Sequence, residues 1–406
     1  MPDLPDLRDP LLASALALVV TFILTPVVRT MAWRIGAIDE PKARGLHTVA
    51  TPRLGGLAIF AGIGCAALVF LPPGQQTTGI LLGALVIVAV GAADDLLDLS
   101  ADVKIVGHIL GSVIPVVAGV RVEAFTLPLL GRVELGFMSY VLTVVGIVAV
   151  VNIVNWIDGV DGLAAGVCTI AGFTFAAIAL SLGRTDAGVL AMVTAGAGLG
   201  YLRYGFHRAS IFMGDSGSNL LGYLLAVIAV QGALKTNAVV ALLFPLVILA
   251  VPILDSSFVI AKRIKYGNPI YKADRWHFHH RFANIGFSPL KTTIYLYGWT
   301  LVLAALALAI AFVPYSDSAG NLNLGPALVL AGFGLVALAA SVYLVLVLEI
   351  LKLKRFRAHR MRKAGALEGR PTVAEHEVDA QVARDLETGE FPAVDTEPGG
   401  ARRRGR

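Results

Sequence analysis

Asp94, Asp95, Asn155, Asp158, Asp161, Asp215, Asp255, His277, His279 and His280 interrupt a chain that otherwise reads as one apolar run after another. A carboxylate at the centre of a spanning helix costs about 2.5 to 3.5 kcal/mol on insertion scales, so ionisable groups placed among such runs are read as functional. The first cluster, Gly91-Ala-Ala-Asp94-Asp95, sets two carboxylates side by side. Such a pair repels, which raises one pKa toward useful base chemistry or invites a divalent cation, the plain alternative being a solvated helix end. The second, Asn152-Ile-Val-Asn155-Trp-Ile-Asp158-Gly-Val-Asp161-Gly, spaces carboxamides and carboxylates three apart around glycines that allow a tight reversal. Oxygen-only donors of this kind suit Mg²⁺ or Mn²⁺, which keep waters and substrate phosphates in their shells.

In Phe212-Met-Gly-Asp215-Ser-Gly-Ser218-Asn219, a turn leads straight into an apolar run. Amides at a helix N-terminus favour phosphate, and Asp215 could hold a metal that bridges it; taken alone, the segment is also an ordinary capped helix start. Asp274-Arg275-Trp-His277-Phe-His279-His280-Arg281 has a spacing that admits zinc. Without Cys or Glu, and with two arginines in company, it is better suited to a diphosphate. Lys42, Arg44, His47 and Arg53, ahead of the second apolar run, and Lys104, after the aspartate pair, serve either as topological charges or as contacts to a lipid phosphate.

These residues need a scaffold, and composition points to a membrane one: 56% of the 406 residues are hydrophobic and 15% charged, against roughly 25% charged in soluble domains. Apolar runs near the length needed to cross a bilayer lie at roughly 11–31, 54–71, 79–93, 103–120, 138–156, 163–182, 187–203, 219–234, 237–256, 291–313 and 326–348. The expectation is an all-α polytopic protein of about eleven transmembrane helices. Lys and Arg concentrate in alternate loops, which predicts an outside N-terminus and a cytoplasmic C-terminus. By that parity every polar cluster faces the cytoplasm, where a soluble substrate and a bilayer lipid could meet. Residues 1–350 form the membrane domain; 351–406 read as a basic, disordered tail whose first lysines and arginines could grip anionic lipid. Cys65 and Cys168 fall within apolar runs and are read as packing residues. The net charge of +5 follows from topology, and no aromatic-basic module for nucleic acid is present.

The four clusters, in this order, closely resemble those of the bacterial polyprenyl-phosphate N-acetylhexosamine-1-phosphate transferases, the WecA, TagO and MraY superfamily, over about residues 20 to 350. Pro52-Arg53-Leu-Gly-Gly and His277-x-His279-His280-Arg281 look like the WecA and TagO branch. The resemblance implies transfer of a sugar-1-phosphate from UDP-N-acetylglucosamine, or a related UDP-HexNAc, to undecaprenyl or another polyprenyl phosphate. UMP would be released at the inner face of the plasma membrane, Mg²⁺ would be the cofactor, and an oligomer is compatible. Under it Asp94, Asp95 and Asp158 are the candidate catalytic carboxylates, the first two orienting or deprotonating the lipid phosphate. Asp215, with Asn155, would ligate the metal. Asp158 and Asp161 would shape the nucleotide site, Phe212 would stack on uracil, and His277, His279, His280 and Arg281 would bind the diphosphate or amino sugar, with Lys104, Arg53 and His47 as further phosphate contacts. An MraY-type pentapeptide substrate is the near alternative. A secondary transporter would place its site at the bilayer midplane within inverted repeats, and neither is visible. A CDP-alcohol phosphotransferase would need a longer acidic signature than Asp158-Gly-x-Asp161-Gly.

Overall fold

Backbone amides inside hydrocarbon have no water to bond, so long apolar runs close their hydrogen bonds internally as helices. The computed structural model describes residues 7–40, 49–127, 131–232, 239–265, 277–284, 287–315, 323–343 and 380. His47 and, apart from Ala380, the tail from 351 lie outside them, as does the side chain of His279. Within the described residues the apolar runs fall on helices, joined by the short α11: α1 (Arg8–Ile35), α2 (Gly55–Phe70), α3 (Gln75–Leu97), α4 (Ala101–Val117), α5 (Met138–Ile157), α6 (Leu163–Ser181), α7 (Thr185–Gly205), α8 (Gly214–Gly232), α9 (Val239–Ile248), α10 (Ala250–Lys265), α11 (Phe278–Asn284), α12 (Pro289–Phe312) and α13 (Leu324–Val342). Among the described residues six, α1, α3, α5, α6, α12 and α13, are long and apolar enough to cross a membrane.

The chain is mostly helical, with two departures from the all-α expectation. β1 (Ile38–Asp39) pairs antiparallel with β2 (Thr51–Pro52), and β3 (Ala124–Leu127) with β4 (Gly131–Glu134). The run expected as one span at 237–256 is two helices, α9 and α10, parted at Leu249. Pro252 explains the break: it has no N–H for the carbonyl of Ile248, and its ring collides with that carbonyl in a continuous helix.

α8 is the axis of the bundle. It packs on α2, α3, α5, α6 and α7 and is buried along nearly its whole length. α1 and α13 sit outside and expose large apolar side chains such as Leu11, Ile23, Val329 and Leu335, the surface that a lipid-facing helix presents. Because α8 begins at Gly214, whatever reaches its first turn converges on one end of the bundle.

Candidate active site

The start of α8 is fixed by backbone pairing. Phe212 N–H donates to the Pro52 carbonyl (2.8 Å), Gly55 N–H to that of Phe212 (3.0 Å) and Gly56 N–H to that of Met213 (2.9 Å). The chain ahead of α2 thus runs alongside the chain ahead of α8. A Cβ at Gly56 would overlap the backbone of Ser216 and Gly217, so only glycine permits this approach. Gly214 turns with φ +69° and faces the Asp95 carboxylate, where a side chain would both strain the backbone and collide.

The two adjacent aspartates do different things. Asp95 Oδ1 accepts from Asp215 N–H (2.9 Å), and its Oδ2 from Ser216 N–H (3.2 Å) and Ser216 Oγ (2.9 Å). It therefore caps α8 from a neighbouring helix, satisfying amides that a helix start leaves without partners. Asp94 Oδ1 accepts from Leu99 N–H (2.8 Å), and its Oδ2 from Lys104 Nζ (3.0 Å). Lys104 also reaches Asp215 Oδ2 at 3.3 Å, while Asn155 Nδ2 donates to Asp215 Oδ1 and Ser218 Oγ, each at 3.0 Å. It is thus the amide nitrogen of Asn155, not its oxygen, that meets Asp215.

Of these groups Asp95, Asn155 and Asp215 border a pocket of about 410 Å³ whose walls also include Asp39, Arg53, Asp158, Asp161, Tyr201, Phe212 and His280, a size typical of small-ligand sites. The Asp158 carboxyl is pushed well above its ordinary value of 3.8, chiefly by burial and then by the negative charges of Asp215, Asp95 and Asp161. Asp161 Oδ2 accepts from Ala209 N–H (2.9 Å), and Tyr297 Oη donates to the Gly162 carbonyl (2.5 Å), so the 158–162 turn is held from two sides. Sequence reasoning passed over Asp39, which pairs with Arg53 at 2.5 Å in the pocket wall. Its position beside Lys42 and Arg44 made it look like part of a topological charge cluster. Tyr201 and Tyr297 were missed because nothing local marks a tyrosine whose hydroxyl bonds a backbone carbonyl between helices, that of Ile211 and of Gly162 respectively.

The histidine segment divides. His280 lines the pocket. His277 is buried behind it, its Nδ1 2.8 Å from Asp255 Oδ2, and Asp255 Oδ1 accepts from Phe278 N–H at 2.6 Å. The Arg281 guanidinium lies 4.2 Å from the Phe258 ring centroid and 5.3 Å from that of Phe278. Among the described residues no three His, Cys, Asp or Glu side chains gather into a metal cage. Mg²⁺ does not require one, being commonly held by one or two carboxylates together with substrate phosphates.

Helices able to span a bilayer, enclosing at the start of a buried central helix a pocket of carboxylates, the Asn155 amide, Arg53, His280 and the rings of Tyr201 and Phe212, define a multi-pass membrane enzyme. The chain belongs to glycosyl transferase family 4, whose family model matches residues 77–233. It is 39% identical over 305 residues, 74% of this chain and 85% of the relative, to the probable undecaprenyl-phosphate N-acetylglucosaminyl 1-phosphate transferase of Bacillus subtilis. It is 34% identical over 358 residues, 80% of this chain and 88% of the relative, to the decaprenyl-phosphate N-acetylglucosaminephosphotransferase of Mycobacterium tuberculosis. Against the phospho-N-acetylmuramoyl-pentapeptide-transferase of Desulforudis audaxviator it is 33% identical over 338 residues, 74% of this chain and 97% of the relative.

Proposed function

We propose that the protein transfers N-acetylglucosamine-1-phosphate from UDP-N-acetylglucosamine to a polyprenyl phosphate such as undecaprenyl or decaprenyl phosphate, releasing UMP. The observation that carries this is the agreement of the Bacillus and Mycobacterium relatives, each matched over more than four-fifths of its length, in being named for N-acetylglucosamine phosphate transfer to a polyprenyl phosphate. In the reaction an oxygen of the lipid phosphate attacks the β-phosphorus of the nucleotide sugar. The bond from that phosphorus to the oxygen bridging it to the α-phosphate breaks, and UMP leaves with the electron pair. The lipid phosphate is already largely ionised near neutral pH, since the second pKa of a phosphomonoester is about 6. Asp94 is accordingly a positioning group: it holds Lys104, whose ammonium supplies positive charge beside Asp215.

The donor set fits a hard divalent cation. Asp215 and Asp158 offer carboxylate oxygens to one pocket, and Asp95 and Asp161 add to the negative charge around Asp158. Mg²⁺ bound through them with the substrate phosphates would neutralise charge on the diphosphate. Asn155 orients Asp215, Phe212 offers a face for uracil, and Arg53 and His280 meet the phosphates or the amino sugar. Asp95 acts through the first turn of α8. The excess of Lys and Arg in alternate loops supports an outside N-terminus and a pocket opening at the cytoplasmic face of the plasma membrane.

The test is purified protein with polyprenyl phosphate and Mg²⁺, offered UDP-N-acetylglucosamine and UDP-N-acetylmuramoyl-pentapeptide in parallel. UMP and lipid-linked sugar from the first supports the proposal. Product from the pentapeptide substrate alone transfers the chain to the activity of the Desulforudis relative, and solute uptake by proteoliposomes without UMP release overturns the enzyme reading.

A further inference from the structure

One helical turn deeper than Lys104, Asn155 and Asp215, the same three helices carry polar residues again. His108 follows Lys104 by four on α4, Asn152 precedes Asn155 by three on α5, and Asn219 follows Asp215 by four on α8. His108 is 3% exposed and Asn219 1%. Asn152 Nδ2 donates to the Val148 carbonyl at 2.7 Å and lies 3.4 Å from His108 Nδ1. An amide nitrogen only donates, so Nδ1 accepts and the ring proton sits on Nε2. That Nε2, like both Nδ2 and Oδ1 of Asn219, is buried with no hydrogen-bond partner among the described residues. Leaving such a group unsatisfied costs about 1 to 3 kcal/mol.

The register of α8 places Asn219 on the side toward α4. On α8, Ser216 and Tyr223 bond to α3, while Ser218 bonds to α5 and Gly222 abuts it. Asn219 falls between these two faces, over the gap that α4 closes by packing on both α3 and α5. Lys104 spends two of its three N–H donors on Asp94 and Asp215. A helical turn rises 5.4 Å, and a single water with hydrogen bonds of about 2.8 Å on each side spans about that distance.

We propose that a buried water links the two layers, accepting from Lys104 Nζ and His108 Nε2 and donating to Asn219 Oδ1. His108, Asn152 and Asn219 are then positioning residues that hold the Lys104 ammonium between Asp94 and Asp215. Three hydrogen bonds is the usual coordination of a buried water, and two of these go to groups otherwise without a partner among the described residues. The functional part of the inference rests on the transferase reading; the water itself does not.

Asn219→Leu and His108→Leu keep approximate volume and remove the polar atoms. Each is expected to lower kcat about tenfold, as loss of a supporting shell does, with KM for the UDP-sugar unchanged and without a gain in Tm. His108→Gln, which retains a donor at the place of Nε2, is expected to restore activity. The double Leu variant should be no slower than either single one, because both remove the same water. A dry layer predicts the reverse: Asn219→Leu would relieve an unsatisfied amide, raise Tm and leave kcat untouched, and that result overturns the proposal. A high-resolution structure of the unaltered protein judges the water directly, by density or none among the three atoms, even if a variant fails to fold. If the unaltered protein releases no UMP, the transferase reading fails while Tm and density still decide the water.

Discussion

At the scale of single residues, the adjacent aspartates are the clearest case of chemistry separated by environment. Asp95 spends its oxygens on three donors at the start of α8, and Asp94 faces Lys104. Asp95→Asn puts an amide N–H against those donors, so it is expected to lower Tm and abolish Mg²⁺-dependent UMP release together. Asp215→Asn is expected to abolish release while the protein still inserts and folds; full activity in this variant would remove Asp215 from the site. Asp158 carries a prediction for pH. Its folded pKa lies above the ordinary 3.8, so its contribution to stability is fully present below that value and is lost as pH rises through the folded pKa. Without divalent cation, Tm is therefore expected to fall as pH rises across this window. Mg²⁺, which favours the ionised carboxylate, is expected to flatten that slope, and an identical slope with and without Mg²⁺ would argue against Asp158 as a ligand. The residue types and their spacing made these groups visible in the sequence. Their division of labour was not, because neighbours in sequence with the same side chain differ only in which helix each one touches.

At the scale of elements, the site depends on how closely α2 and α8 begin together. Gly55-Gly56 and the Phe212-Met213 segment share backbone hydrogen bonds, and Gly56 has no room for a methyl group. Gly56→Ala is expected to cost about 1 to 3 kcal/mol by overpacking and to reduce turnover more than tenfold, read by thermal unfolding in detergent and by UMP release. A neutral outcome would mean that the two helix starts can move apart without disturbing Phe212. The apolar runs disclosed the helices, since a period of hydrophobicity reports local structure. The division of 237–256 into α9 and α10 was also written there, in Pro252, but a run-length criterion averages over a single proline. The β3–β4 hairpin was hidden for another reason: short strands outside the apolar runs pair through backbone groups, which composition does not record.

At the scale of the whole molecule, orientation is the open consequence of the charge pattern. In a Cys65→Ser, Cys168→Ala background, Arg132→Cys is expected to react with an impermeant maleimide from outside intact cells, and Arg208→Cys only after the membrane is opened. Reaction of Arg208→Cys from outside would invert the topology and place the pocket on the wrong face for a nucleotide sugar. Membrane class, the approximate helix positions and the chemistry of the carboxylate clusters follow from composition, run length and spacing alone, because each is a property of contiguous residues. The pocket is different in kind. Asp39 with Arg53 exists only once β1 pairs with β2, and the cap that Asp95 gives α8 and the placing of Lys104 between Asp94 and Asp215, 111 positions from the latter, exist only once separate helices pack. The energies that fix them are exchanged between segments whose separation along the chain says nothing about their distance in space.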